Sequence, residues 1–119
     1  MIIGIGTDIV EIARMAAAIE RNPQRFPERV LTASELVEYQ TAKDKPRFLA
    51  KRFAAKEACS KAFGTGIGKD IAFTDIEISH EESGKPIITI VNGSFSNRPL
   101  KIHLSISDEV SNAIAYVVI

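Results

Sequence analysis

The hydrophobic period of this chain changes at the glycine-rich stretch Gly64-Thr65-Gly66-Ile67-Gly68. Before it, apolar residues recur mostly at steps of three and four; after it they alternate, and only IIGIG at residues 2–6 reads as a strand in the first half. Helices gathered in one half and strands in the other argue for an α+β fold, a mainly antiparallel sheet packed against helices. The 119 residues suit one domain, 1–119, with one modest core.

Local signals divide the helical half. The first strand is expected to run into a turn at Gly6 to Asp8, with a helix from about residue 9 that Pro23 and Pro27 end near Arg21 or Asn22. Ile12, Ala16 and Ile19 would line its packed side, and Glu11, Arg14, Ala18, Arg21 and, more loosely, Arg25 the other. Thr32-Ala33-Ser34-Glu35 reads as a capping box with Leu31 and Leu36 at the staple positions, so a second helix starts near Ala33 and runs to about Ala42. A third spans roughly Pro46 to Phe63, with proline in its first turn and Gly64 as a left-handed stop. Strands follow at Ile71–Ser79, Ile87–Val91, Ile102–Ile106 and Ala113–Ile119, separated by turn signals at Ser83–Pro86 and Asn92-Gly93.

Composition excludes several classes. With 45% hydrophobic and 25% charged residues the chain is neither disordered nor membrane-spanning by pattern. MIIGIGTDIVEI lacks a basic leader and carries Asp8 within its apolar stretch, which argues against a signal peptide; the lone Cys59 cannot pair within the chain, so a cytoplasmic protein is expected. The net charge is zero, and no aromatic platform is interleaved with the basic residues, which disfavours nucleic acid. Charge is nevertheless uneven: residues 43–61 hold seven basic side chains against Asp44 and Glu57, a local +5 able to attract a phosphorylated ligand or simply to solvate a helix face.

On the third helix Arg47, Ala50, Ala54, Glu57 and Lys61 share a stripe. Small residues there would let a bulky ligand approach the backbone, while the carboxylate and ammonium one turn apart could grip a metal ion and a phosphate; an ordinary surface ion pair is the alternative. Asp8, just after a strand, either caps the first helix or supplies the second carboxylate. Mg²⁺ favours one or two carboxylates together with phosphate oxygens and water, so Asp8, Glu57 and Lys61 together suit a pyrophosphate.

Taken in order, GIGTDIVEI, RFLAKRFAAKEACSKAFGTGIG and HLSISDE resemble the 4′-phosphopantetheinyl transferase superfamily, in its small bacterial holo-[acyl-carrier-protein] synthase branch, over nearly the whole chain. G-x-D followed some fifty residues later by F-x-x-K-E-A-x-x-K carries the likeness. The resemblance implies Mg²⁺-dependent transfer of the phosphopantetheine arm of coenzyme A to a serine of apo-acyl carrier protein, in fatty acid biosynthesis, with release of adenosine 3′,5′-bisphosphate. It implies Asp8 and Glu57 as metal ligands and, with Lys61, as the catalytic group, Lys61 also contacting coenzyme A phosphate. Gly64 and Gly66 would lie against the coenzyme, and His103 in H-x-S-x-S would reach its nucleotide end or else be an outward-facing strand histidine. Arg14 and Arg21 would face the acidic carrier. The family's homotrimers, with active sites between subunits, are implied too.

The serine proton could pass to Glu35 or to a water near Asp8. NGSFSNRPLK, between the last two strand pairs, is shorter than the helical insertion of many relatives, so contacts made by that insertion do not carry over. A non-catalytic module that binds coenzyme A or a nucleotide through residues 43–61 is the competing reading; it predicts binding without turnover. Cys59 reads as core filler and His80 as incidental.

Overall fold

A computed structural model describes residues 1–119. Strand β1 (Ile5–Glu11) leads into helices α1 (Ile12–Arg21), α2 (Arg25–Val30), α3 (Ala33–Thr41) and α4 (Lys45–Phe63), and a 3₁₀ turn at Phe73–Asp75 precedes β2 (Ile76–His80), β3 (Pro86–Ile90), β4 (His103–Asp108) and β5 (Asn112–Val118). The expected α+β class is correct. Every strand pairing is antiparallel: β1, β5 and β4 form one sheet in that order, and β2 and β3 form a separate ribbon.

The sheet and α4 make the centre of the molecule. Val10, Ala113, Ala115 and Val117 on the inner face of the sheet pack with Leu49, Ala50, Ala54, Ala58 and Ala62, all buried. Small residues on both sides let backbone approach backbone. A Cβ on Gly4 would come within 2.0 Å of the Ala62 carbonyl oxygen, and one on Gly6 within 2.0 Å of that of Ala58. The Gly4 and Gly6 positions therefore fix how closely β1 lies on α4. This overturns two expectations. No turn forms at Gly6 to Asp8, because the strand continues to Glu11; and Ala50 and Ala54, fully buried, serve helix-on-sheet contact rather than a ligand.

Because β1 runs longer than expected, α1 starts later and its packed face is set by Met15 and Ala18, with Ile12 and Ile19 half-buried; Ala16 is exposed and Ala18 is not part of the basic stripe. Asp8 does not cap this helix, whose N-cap is Glu11. The capping box at Thr32 is present in both directions, Thr32 amide to Glu35 Oε1 at 2.8 Å and Glu35 amide to Thr32 Oγ1 at 3.4 Å. Gly64 ends α4 at φ 82°, in the left-handed region where glycine is favoured.

α2 lies where the prolines predicted irregular chain. Pro27 falls within its first turn, where its missing amide hydrogen costs nothing. No helix is long and apolar enough to cross a membrane. The outer face of the three-stranded sheet leaves Ile5, Ile9, Ile114 and Tyr116 exposed.

Candidate active site

Alternation along β1 sends Gly6, Asp8 and Val10 to the face that meets α4, and Ile5, Thr7 and Ile9 to the other. Asp8 thus stands beside Lys61, whose Nζ donates to Asp8 Oδ1 at 3.1 Å and to the Thr7 carbonyl at 2.9 Å. The Asp8 side chain is 18% exposed and that of Lys61 50%. Glu57, one helical turn before Lys61, is half-buried and its carboxylate has neither a hydrogen-bond donor nor a cation at ion-pair distance. Burial raises its pKa above the usual carboxylate range, the charge of Asp8 raises it further, and Lys61 pulls it back. Two residues distant in sequence are thereby brought within electrostatic reach.

A half-exposed carboxylate with no protein partner, next to a second one, is an arrangement that invites a cation. No group of three or more His, Cys, Asp or Glu side chains could hold a metal ion, so the chain offers two carboxylates and no cage. That all-oxygen, incomplete donor set fits Mg²⁺ completed by substrate oxygens and water. Glu57 also lines a cavity of about 350 Å³ with Phe26, Arg29, Val30, Ile67 and Phe73.

A family model described as the 4′-phosphopantetheinyl transferase superfamily matches residues 4–117. The chain belongs to the 4′-phosphopantetheinyl transferase superfamily. Among curated proteins it is similar to holo-[acyl-carrier-protein] synthases of Vibrio cholerae, 48% identical over all of this chain and 98% of that one, and of Aliivibrio fischeri, 50% identical over 98% and 96%. Among solved structures, the holo-[acyl-carrier-protein] synthase of Neisseria meningitidis superposes with a TM-score of 0.90 at 41% identity, covering 99% of this chain and 98% of that one. That of Bacillus anthracis, in complex with CoA (3′,5′-ADP), gives 0.88 at 42% identity over 99% and 96%.

Within this phosphopantetheinyl transferase fold the other expected site residues are distributed unevenly. Gly64 and Gly66 both have positive φ and face open space, since a Cβ on either would meet nothing within 4 Å. Their amides are already used: Gly64 donates to the Lys61 carbonyl, and Thr65 and Gly66 to that of Ser60. The turn is therefore a smooth wall, not a phosphate-binding nest. His103 is exposed and sits across from Val118 and thus Ile5, on the outer face of the sheet, whereas Asp8 points to the inner one. One chain does not bring His103 to Asp8, Glu57 and Lys61.

Arg14 and Arg21 are exposed and, with Met15, Phe26 and Phe53, line a groove of about 310 Å³. Arg25 and Arg29 of α2 line an adjoining cavity of about 600 Å³ with Asn22, Phe26 and Glu28. None of the four arginines forms an ion pair. Sequence reasoning missed Arg29; the helix-compatible Pro27 two residues before it was the available signal.

Much of the local +5 of residues 43–61 is engaged within the fold, and Lys61 is the half-exposed member beside Asp8. Arg47 pairs with Asp44 and Asp108, Lys45 donates to the Gln40 and Ala42 carbonyls, and Arg52 and Lys56 are buried around Glu35. Glu35, 1% exposed, accepts from Lys56, Arg52 and the amides of Thr32 and Ile78. With its lone pairs engaged and no route to solvent, it cannot take the serine proton. Cys59 is buried and its pKa is pushed up to about 12 by burial, which leaves it an inert core thiol.

Proposed function

We propose that residues 1–119 form a single 4′-phosphopantetheinyl transferase domain that moves the phosphopantetheine arm of coenzyme A to a serine of apo-acyl carrier protein, with Mg²⁺, in the cytoplasm and for fatty acid biosynthesis. The observation that carries this reading is the meeting of Asp8, Glu57 and Lys61, with Glu57 left unpaired. Asp8 and Glu57 would hold Mg²⁺, which when bound supplies positive charge to the diphosphate. Lys61, half-exposed and held to Asp8 by one weak pair, can turn to the phosphates and offset charge on the departing oxygens.

In the reaction a bond forms between the serine oxygen and the β-phosphorus of coenzyme A, and the bond from that phosphorus to the bridging oxygen breaks. Adenosine 3′,5′-bisphosphate leaves. The serine proton passes to water at the solvent-open side of Asp8, the remaining acceptor once Glu35 is excluded. Gly64 and Gly66 let the coenzyme lie against the end of α4, and the unpaired Arg14 and Arg21 steer the acidic carrier to the same edge.

His103 joins the site in this proposal from a neighbouring subunit. The outer sheet face carrying His103 also carries exposed Ile5, Ile9, Ile114 and Tyr116, an apolar surface suited to a homotrimer with active sites between subunits. Light scattering on Ile9→Asp should return a monomer with lost transfer; an intact trimer with full transfer would reject the arrangement. The function itself is tested by mass spectrometry of apo-carrier incubated with coenzyme A and Mg²⁺. Carrier gains the phosphopantetheine mass with the wild-type chain, and undiminished modification by Asp8→Ala or Glu57→Ala would reject the metal assignment.

A further inference from the structure

The residue just before Glu57 is wholly buried and charged, and the transfer chemistry above makes no use of it. Lys56 is 0% exposed. Its ammonium has three hydrogens and three acceptors: the Val30 carbonyl at 2.7 Å, Glu35 Oε1 at 2.6 Å and the Phe73 carbonyl at 3.1 Å. Val30 is the last residue of α2, so its carbonyl is one of those a helix cannot satisfy internally. Lys56 caps it with a full positive charge at the negative end of the helix.

α2 has only six residues, too few to be stable alone, and is held otherwise by its buried Pro27 and Val30 and by the stacking of Phe26 on Phe53 at 6.5 Å. The two walls that Lys56 joins, Val30 and Phe73, enclose the same cavity as Glu57. Arg25 and Arg29, the unpaired guanidiniums on α2, ride on that attachment.

We propose that Lys56 is a positioning residue: by capping α2 and tying it to the 3₁₀ turn, it fixes the stance of Arg25, Phe26 and Arg29 opposite Glu57 and so sets carrier-protein docking. The idea rests on the carrier being received at the α1–α2 edge. A purely structural buried charge would stabilise the whole fold evenly; a positioning charge acts on α2 before the rest. Arg52 provides the contrast, because it shares Glu35 but bonds to Glu38 and the Ile78 carbonyl and makes no hydrogen bond to α2.

Hydrogen exchange separates the two roles in Lys56→Met and in Lys56→Met with Glu35→Gln, the second of which removes the carboxylate charge left behind. In both, amides of residues 25–31 should exchange roughly tenfold faster relative to those of β1 and β5, which take no bond from the Glu35 cluster, whereas Arg52→Met should leave that ratio unchanged. With the wild-type carrier, KM for the carrier should rise about fivefold or more in the double variant while kcat stays within about threefold. Exchange of α2 in step with β1 and β5, or an unaltered carrier KM, overturns the proposal. If Arg14→Ala and Arg21→Ala leave carrier KM unchanged, docking at the α1–α2 edge fails by itself, whatever the exchange data show.

Discussion

Two clusters of acidic and basic side chains lie one residue apart on α4, and they are built from the same chemistry with opposite outcomes. Around Lys56, Glu35 and Arg52 no fully buried polar atom lacks a partner and no side chain exceeds 5% exposure. Around Asp8, Glu57 and Lys61 one carboxylate has no partner and the lysine is half in solvent. The difference is a matter of saturation: the first cluster has spent its hydrogen-bonding capacity on holding five segments of chain together, and the second has capacity left for a ligand. Charge type and sequence position do not distinguish them, since Lys56 and Glu57 are neighbours.

The comparison breaks most visibly on activity. Asp8→Ala or Glu57→Ala should lower carrier modification by roughly 10²-fold or more, the scale of losing an electrostatic element of the transition state, while thermal melting stays near that of the wild type. Equal losses of activity and melting temperature would put these carboxylates in the same structural class as Glu35.

A smaller effect, read on stability, sharpens the other side. Glu35→Ala strands buried Lys56 and Arg52 and should cost about 3–5 kcal/mol in denaturant unfolding, whereas Lys61→Ala, at an exposed pair, should cost less than about 1 kcal/mol. Burial already pushes the Lys56 pKa below the usual lysine range, with Glu35 pulling it back up, so its charge in the fold depends on that carboxylate. Comparable stability losses in the two variants would erase the distinction.

The smallest effect concerns acid. Glu77, at the margin of the buried cluster, accepts from the Ser34 and Thr32 hydroxyls, and these hold its pKa below the usual range. A carboxylate depressed in the folded state binds fewer protons there than when unfolded, so its contribution is present above the ordinary carboxylate pKa and fades as pH falls through the folded value. Stability of Glu77→Gln should therefore decline less steeply below the ordinary carboxylate range than that of the wild type, in urea unfolding followed across acid pH; identical slopes would remove Glu77 from the network.

Local chemistry made much of this legible. The Thr32 capping box, the Gly64 stop, the β-branched run of β3, the alternation of β4 and the apolar run of β5 depend on residues within a few positions of one another, and each is found where the pattern puts it. Legibility failed where local signals conflicted with distant contacts. IIGIG followed by Thr7 and Asp8 looks like a strand and a turn, but pairing with β5 from Ile5 to Glu11 carries the strand through Asp8. Pro23 and Pro27 look like helix breakers, yet Pro27 sits inside α2 because the Lys56 cap and Phe26 packing hold that short helix in place.

The candidate site divides the same way. Sequence by itself determined the fold class, the placement of helices before strands, and the trio Asp8, Glu57 and Lys61, since motif spacing and residue type are properties of the chain. Only the tertiary structure decided which charges are free. Seven basic residues in 43–61 look alike in a string of letters, but Glu35 and Asp108 reach them from other elements and neutralise several of them. His103 likewise carries its motif in the sequence, yet the two-residue period of a strand turns it away from Asp8 on the opposite face of the same sheet. Burial and pairing are relations between segments far apart in the chain, and no local pattern encodes them.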